Sequence, residues 1–317
     1  MTTPLDPAIA QIIPLLPLQN PDGMTPQDAR EQLLALARSR PPLPPVADIV
    51  NIEVKGSAGP RPARVYRTGA NPRPTVLFFH GGGWVAGDLE THERQAQLLA
   101  METGAVVVSV DYRRPPEAPF PAAFEDCFAA LQDVAARIAD FGGDIRRLGV
   151  AGDSAGGNLS AACAIAARDG GLKLAGQLLA YPVTDVTGRY SDATENARYP
   201  SRQENASGYF LSRAVMAWFA QHYIGDARGD DWRVSPLRAK NLAGVAPAIV
   251  CTAFFDPLRD EGQAYADALE AAGVATKRHH GLGLIHGYFG MGEASALAKA
   301  EAQRAWADFK TLLDRGA

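Results

Sequence analysis

Cysteine is scarce in this chain: among 317 residues there are only Cys127, Cys163 and Cys251. An odd number of widely spaced thiols, with no Cys-x-x-Cys pair, argues against a disulfide framework and against a zinc knuckle. The expected state is three reduced, buried thiols in a cytoplasmic protein, and no metal is expected. A surplus of basic charge is also missing. The formal net charge is −4, from 31 basic and 35 acidic residues, and nucleic acid is an unexpected partner for such a chain. Long apolar runs are absent too. Ile9 to Leu18 is broken by two prolines and follows no basic residue, so neither a signal peptide nor a membrane span is expected.

What is present is an alternation of two patterns. Short apolar or β-branched runs at 49–54, 64–67, 75–79, 105–110, 148–151, 177–181, 248–253 and 275–278 predict strands. Segments 93–103, 122–139, 156–167, 263–272 and 296–313 predict helices between them. Strand and helix in alternation point to an α/β fold with a mostly parallel central sheet flanked by helices. Residues 46–182 and 236–317 are expected to form this domain. Residues 1–45 are helical but punctuated by proline: Thr25-Pro-Gln-Asp-Ala opens a helix to about Arg38, and prolines at 41, 42, 44 and 45 make a stiff connector. Residues 183–235 fit no strand and gather Tyr190, Tyr199, Tyr209, Phe210, Trp218, Phe219, Tyr223 and Trp232. An insertion of that length is usually functional, so both segments are expected to form a helical cap.

Gly152-Asp-Ser-Ala-Gly156 has the Gly-x-Ser-x-Gly spacing. The motif is informative because the apolar run at 148–151 precedes it and a small-residue helix follows. Strand, tight turn and helix expose Ser154 as a nucleophile on a strained elbow, where the helix supplies free amide donors. A serine that only caps the helix is the plainer alternative.

His80-Gly-Gly-Gly-Trp84 follows the strand at 75–79. Glycines let backbone amides approach a developing oxyanion, as in the His-Gly-Gly-Gly loops of lipases and esterases. The expected donors are Gly82, Gly83 and Ala155, with Gly81 as alternate. Residues 81–86 also satisfy Gly-x-Gly-x-x-Ala, a dinucleotide fingerprint, but residues 84–91 begin no helix, so no nucleotide cofactor is expected. His80 is read as shaping the loop.

Relays on such an elbow run in chain order Ser, Asp or Glu, His. Asp256 lies just past the strand at 248–253, where it could also cap the next helix, and Asp260 is the rival acid. Of six histidines, only His279, His280 and His286 follow Asp256. His279 and His280 are expected to end a strand, whereas His286 sits in a loop before the last helix and is the expected base.

Together these segments resemble the hormone-sensitive-lipase-like family of α/β-hydrolases, the bacterial family IV esterases. The resemblance rests on His80-Gly-Gly-Gly-Trp, Asp111-Tyr-Arg, Pro116-Glu-Ala-Pro-Phe-Pro-Ala-Ala-Phe-Glu-Asp126, Gly152-Asp-Ser-Ala-Gly-Gly, Asp256-Pro-Leu-Arg-Asp-Glu-Gly and His286-Gly-Tyr. It implies the α/β-hydrolase fold, a cap, and metal-independent hydrolysis of short- to medium-chain acyl esters, small molecules bound without a cofactor. A homodimer is the assembly common in the family. Asp153 looks like the family's acidic residue before the nucleophile, and Asp111-Tyr-Arg113 and Glu125-Asp126 look structural.

Two departures stand out: Tyr112-Arg-Arg-Pro-Pro-Glu117 replaces Tyr-Arg-Leu-Ala-Pro-Glu, and Phe254 stands where a small residue is usual. Phe254 joins Trp84, Asp153, Tyr209 and Phe210 as expected pocket residues. An amidase or deacetylase with the same relay is one alternative. A non-catalytic ligand-binding homologue is another, opposed by the retention of His286.

Overall fold

In the computed structural model, residues 3–18, 20–44, 46, 48–69 and 72–316 are described. Eight strands form one sheet in the order β1-β2-β4-β3-β5-β6-β7-β8. They are β1 (Asp48–Gly56), β2 (Gly59–Arg67), β3 (Arg73–Phe79), β4 (Val106–Val110), β5 (Gly143–Asp153), β6 (Gly176–Ala180), β7 (Ala248–Phe255) and β8 (Thr276–Ile285). β1, β2 and β4 pair antiparallel, and every pairing from β4 to β8 is parallel.

The inner strands bury both faces, and their side chains alternate between two cores. Leu77, Phe79, Val108, Val150 and Val250 pack on one side with Leu131, Leu159 and Leu269. Val76, Phe78, Val107, Ala151 and Ile249 pack on the other with Leu99, Ala305 and Phe309. Those partners belong to α4 (Ala122–Ala136), α5 (Ala155–Asp169) and α9 (Arg259–Ala271) on the first face, and to α3 (Glu93–Thr103) and α10 (Ala296–Arg315) on the second. Continuous apolar runs in the sequence follow from this two-sided burial.

α1 (Pro7–Ile12) and α2 (Pro26–Arg38) precede the sheet. Thr25 and Asp28 form a reciprocal capping box at the start of α2, and Pro26 occupies its first turn. The proline connector expected over 41–45 ends on Pro45, which lies outside the described residues. Between β6 and β7 the chain forms no strand, only α6 (Ala193–Asn196), α7 (Ser201–Glu204), α8 (Arg213–Ile224) and 3-10 turns.

Several boundaries differ from expectation: β2 and β5 each begin five residues earlier than their apolar runs, α9 begins four residues earlier, and α4 and β8 end elsewhere. α4 stops at Ala136, and a 3-10 turn over Ile138–Phe141 then ends on the left-handed Gly142. β8 runs on to Ile285 because its pairing with β7 resumes after a bulge, from Ala253↔Gly281 to Phe255↔Ile285. His279 and His280 therefore lie within β8, not at its end. Among the described residues no helix is long and apolar enough to cross a membrane.

Candidate active site

The carboxyl ends of the parallel strands are where open α/β sheets gather ligands. Here β3 delivers residues 80–84, β5 delivers Ser154, β7 delivers Asp256 and β8 delivers His286 to the same end.

Ser154 joins β5 to α5 with φ 55° and ψ −117°. A non-glycine residue in this region costs about 1–3 kcal/mol, so the surrounding chain must hold it there. Its amide donates to Ala180 O at 2.8 Å, and its carbonyl accepts from Asn158 N at 3.0 Å. The turn closes only because its flanks lack side chains. A Cβ on Gly156 would lie 1.9 Å from Phe79 O, and one on Gly152 would lie 2.3 Å from Gly156 O.

The Ser154 hydroxyl lies 3.0 Å from His286 Nε2, and His286 Nδ1 lies 2.8 Å from Asp256 Oδ2. An ionised carboxylate can only accept, so Nδ1 carries the hydrogen and Nε2 presents its lone pair to the hydroxyl. Asp256 is fully buried. Its second oxygen accepts from Leu258 N at 2.9 Å, while Asn205 Nδ2 lies 3.2 Å from both the Phe254 and Asp256 carbonyls. Asp256 thus supports both the following turn and the imidazole. Asp260 is elsewhere, accepting from Ser201 N at 2.7 Å, and His279 is engaged with Asp308 at 2.8 Å.

Residues 80–84 turn back beside the serine. Gly82 and Gly83 have φ 107° and 59°, and Gly82 O accepts from Val85 N and Ala86 N. Among the described residues the Gly82 and Gly83 amides meet no acceptor of the chain itself. The Ala155 amide opens α5 and lies outside its ladder. Gly81, the expected alternate donor, is corrected: its amide is spent on Asp153 Oδ1 at 3.0 Å and faces His92 Nε2 at 3.2 Å. Asp153 thereby ties the glycine loop to the elbow. His80 is completely buried, stacks on Tyr112 and contacts Gly81 O through Nδ1 at 2.9 Å. Burial, His92 and Arg114 all push its imidazole well below the ordinary value, which suits a neutral ring that shapes the loop.

A cavity of about 1100 Å³, counting its open mouth, reaches Ser154 and His286. Leu16, Leu18, Leu33 and Leu36 line one wall, and Tyr190, Leu211, Val215, Met216 and Phe219 line the other. Of the expected pocket residues, Trp84, Asp153 and Phe210 line it. Phe254 and Tyr209 do not. Phe254 lies under the Arg259 guanidinium, and Tyr209 packs on Phe255. Trp84 is stacked on Tyr223 at 4.4 Å between ring centres, and the Phe219 ring sits against Gly83. Among the described residues no group of three or more His, Cys, Asp or Glu side chains is arranged to hold a metal ion.

Sequence reasoning missed Asn205, the fully buried Arg202–Glu261 pair behind Asp256, and Arg40 and Gln95 on the cavity wall. Glu261 falls inside the Asp256-Pro-Leu-Arg-Asp-Glu segment, the one local signal available for any of them.

A family model described as alpha/beta hydrolase fold matches residues 76–290. Esterase LipI of Mycobacterium tuberculosis is 40% identical over 295 residues, covering 90% of this chain and 88% of its own length. Carboxylic ester hydrolase LipN of the same organism is 38% identical over 313 residues, covering 94% and 81%. The crystal structure of a thermostable esterase from Pseudomonas putida is similar with a TM-score of 0.89, at 35% identity over 99% of each chain. A family match over most of the chain, a relay at the ends of the parallel strands and full-length relatives at this identity lead to one assignment: the chain belongs to the α/β-hydrolase family, in its hormone-sensitive-lipase-like branch.

Proposed function

We propose that this chain is a serine carboxylesterase that hydrolyses short- to medium-chain acyl esters through an acyl-enzyme on Ser154. The observation that carries the reading is the continuous contact from Ser154 Oγ through His286 to Asp256. As the hydroxyl attacks the ester carbonyl, its proton passes to His286 Nε2. Asp256 keeps the imidazole in the reactive tautomer and stabilises its cationic form. The carbonyl oxygen becomes an oxyanion, accepted by the amides of Gly82, Gly83 and Ala155, each worth about 3 kcal/mol of barrier in a dry site. Collapse of the tetrahedral intermediate breaks the bond to the alcohol oxygen, which takes the proton from His286. Water then repeats the sequence on the acyl-enzyme and releases the acid and the free serine.

Residues 1–45 and 183–235 act as a cap on a catalytic domain of residues 46–182 and 236–317. The support is that both segments line the cavity above the serine. Trp84 and Phe219 bound that cavity beside the glycine loop, which favours acyl chains of modest length. Cys127, Cys163 and Cys251 are free and buried, in keeping with a reducing cytoplasmic setting.

The test is hydrolysis of p-nitrophenyl butyrate by the native chain and by Ser154→Ala, with and without chelator. Activity that survives chelator and is lost in the variant is expected. Turnover retained by Ser154→Ala would overturn the mechanism. A matched anilide should be cleaved far more slowly than the ester, and the reverse would make the chain an amidase.

A further inference from the structure

The cavity is mostly apolar, but one corner of its wall is not. Arg40, at the end of the segment that follows α2, and Gln95, on α3, both line it beside Gly290. They converge closely: a Cβ built on Gly290 would lie 3.2 Å from Gln95 Nε2 and 3.4 Å from Arg40 Nη1. The missing side chain leaves both groups facing open space.

Among the described residues neither group meets a hydrogen-bond or ion-pair partner through its side chain. Among the described residues the Arg40 guanidinium makes no ion pair, although Glu293, Glu90 and Glu93 are neighbours. Glu293 is taken by Arg94, and Glu90 and Glu93 are both taken by Arg64. The Gln95 Oε1 atom is buried without a hydrogen-bond partner. Burial and the neighbouring Arg94 cation both work against the Arg40 charge and outweigh the support it draws from Glu293. Arg40 also borders a neighbouring groove, where Arg38 and Arg94 stand beside Glu90 and Glu93.

Resting on the esterase reading, we propose that the Arg40–Gln95 corner is a carboxylate subsite, and that the preferred substrates are esters carrying a free carboxylate remote from the scissile bond. A guanidinium presents a planar fork that matches two carboxylate oxygens, and an adjacent carboxamide N–H can add a third contact. Half-esters of dicarboxylic acids would bring the carboxylate on the acyl side. Esters of hydroxy acids would bring it on the alcohol side.

Two pairs of substrates separate these sources: mono-p-nitrophenyl adipate against p-nitrophenyl hexanoate, and 4-(butyryloxy)butanoate against its methyl ester. In at least one pair the anionic member should have the higher kcat/KM by about tenfold or more, the usual scale of a charged hydrogen bond. Arg40→Glu should erase or invert that ratio, with Arg40→Lys in between. Equal ratios in the native chain and in Arg40→Glu would overturn the subsite, as would a native preference for the neutral member of both pairs. Calorimetric titration of Ser154→Ala with adipate and with 4-hydroxybutyrate reads the same corner without turnover. One of them should bind, and adding Arg40→Glu should weaken it about tenfold or more. Binding of this kind without hydrolysis of any ester would sink the esterase reading and leave the subsite standing. Ester hydrolysis with neither acid bound would do the opposite.

Discussion

The wall of the cavity built by residues 183–235 is fastened by buried polar side chains, whereas the wall built by Leu16, Leu18 and α2 rests on leucines and surface ion pairs. On the first side, Ser201 Oγ donates to Pro257 O at 2.9 Å and Asn205 holds the carbonyls of Phe254 and Asp256. Arg202 meets Glu261 at 2.7 Å with both side chains fully buried, between the rings of Tyr190 and Tyr199. On the second side, Leu16 and Leu18 are buried, and α2 buries only Ala29. Arg30 reaches Glu117, Val85 O and Pro115 O, but the Glu117 side chain is 63% exposed. Bonds out of water are costly to break one partner at a time, and bonds in water are not. The wall with the buried bonds is the one that carries the turn of Asp256.

The largest effect that tests this contrast is loss of one member of the buried pair. Glu261→Gln or Arg202→Met should cost about 3–5 kcal/mol in chemical denaturation, because each strands a charge. Replacing both with apolar residues should cost less than either alone. Single variants with unchanged midpoints would erase the distinction between the walls.

Next in size is Asn205→Ala, which should cost about 1–1.5 kcal/mol, the net worth of a lost hydrogen bond, because the Phe254 and Asp256 carbonyls keep their contacts with Arg259. Since Asn205 positions the acid without touching substrate, kcat should fall while KM stays near the native value. A change in KM alone would assign it to the cavity instead.

The smallest effect belongs to Arg30→Ala, at most about 1 kcal/mol, since its pair with Glu117 is exposed. Arg30 holds the Glu117 carboxyl down to about 2, below its ordinary value of 4.5. A depressed carboxylate contributes stability above the unfolded value and loses it as pH falls through the folded one. The difference between native chain and variant should therefore be full above about pH 4.5 and shrink towards pH 2, read by denaturation across that range.

Much of the catalytic machinery was legible because it depends on short-range constraints. Strands buried on both faces must be apolar runs, and a strand that turns sharply into a helix must have glycines at 152 and 156, so the sequence already marks Ser154. Chain order then singled out Asp256 and His286. The fastening of the walls was not legible. Arg202 and Glu261 lie 59 positions apart, and nothing at either position announces a buried pair. Gly81 looks like any other glycine of its loop until Asp153 is seen to claim its amide. Phe254 stands two positions before the acid in sequence, yet its ring lies under Arg259 and not on the cavity wall, so adjacency does not decide what a ring lines.

The clearances around the glycines bear on which sequences this chain could drift through. At 152 and 156 the obstacles are main-chain atoms, Gly156 O and Phe79 O, and no second substitution elsewhere removes a carbonyl. At 83 the obstacle is a side chain, the Phe219 ring, 2.1 Å from where a Cβ would fall. A smaller residue at 219 would remove the three nearest contacts, and the left-handed φ of 59° would still oppose a side chain, asparagine least. In a pool of doubly varied chains selected for ester turnover, 152 and 156 should stay invariant, while 83 should vary only in company with 219.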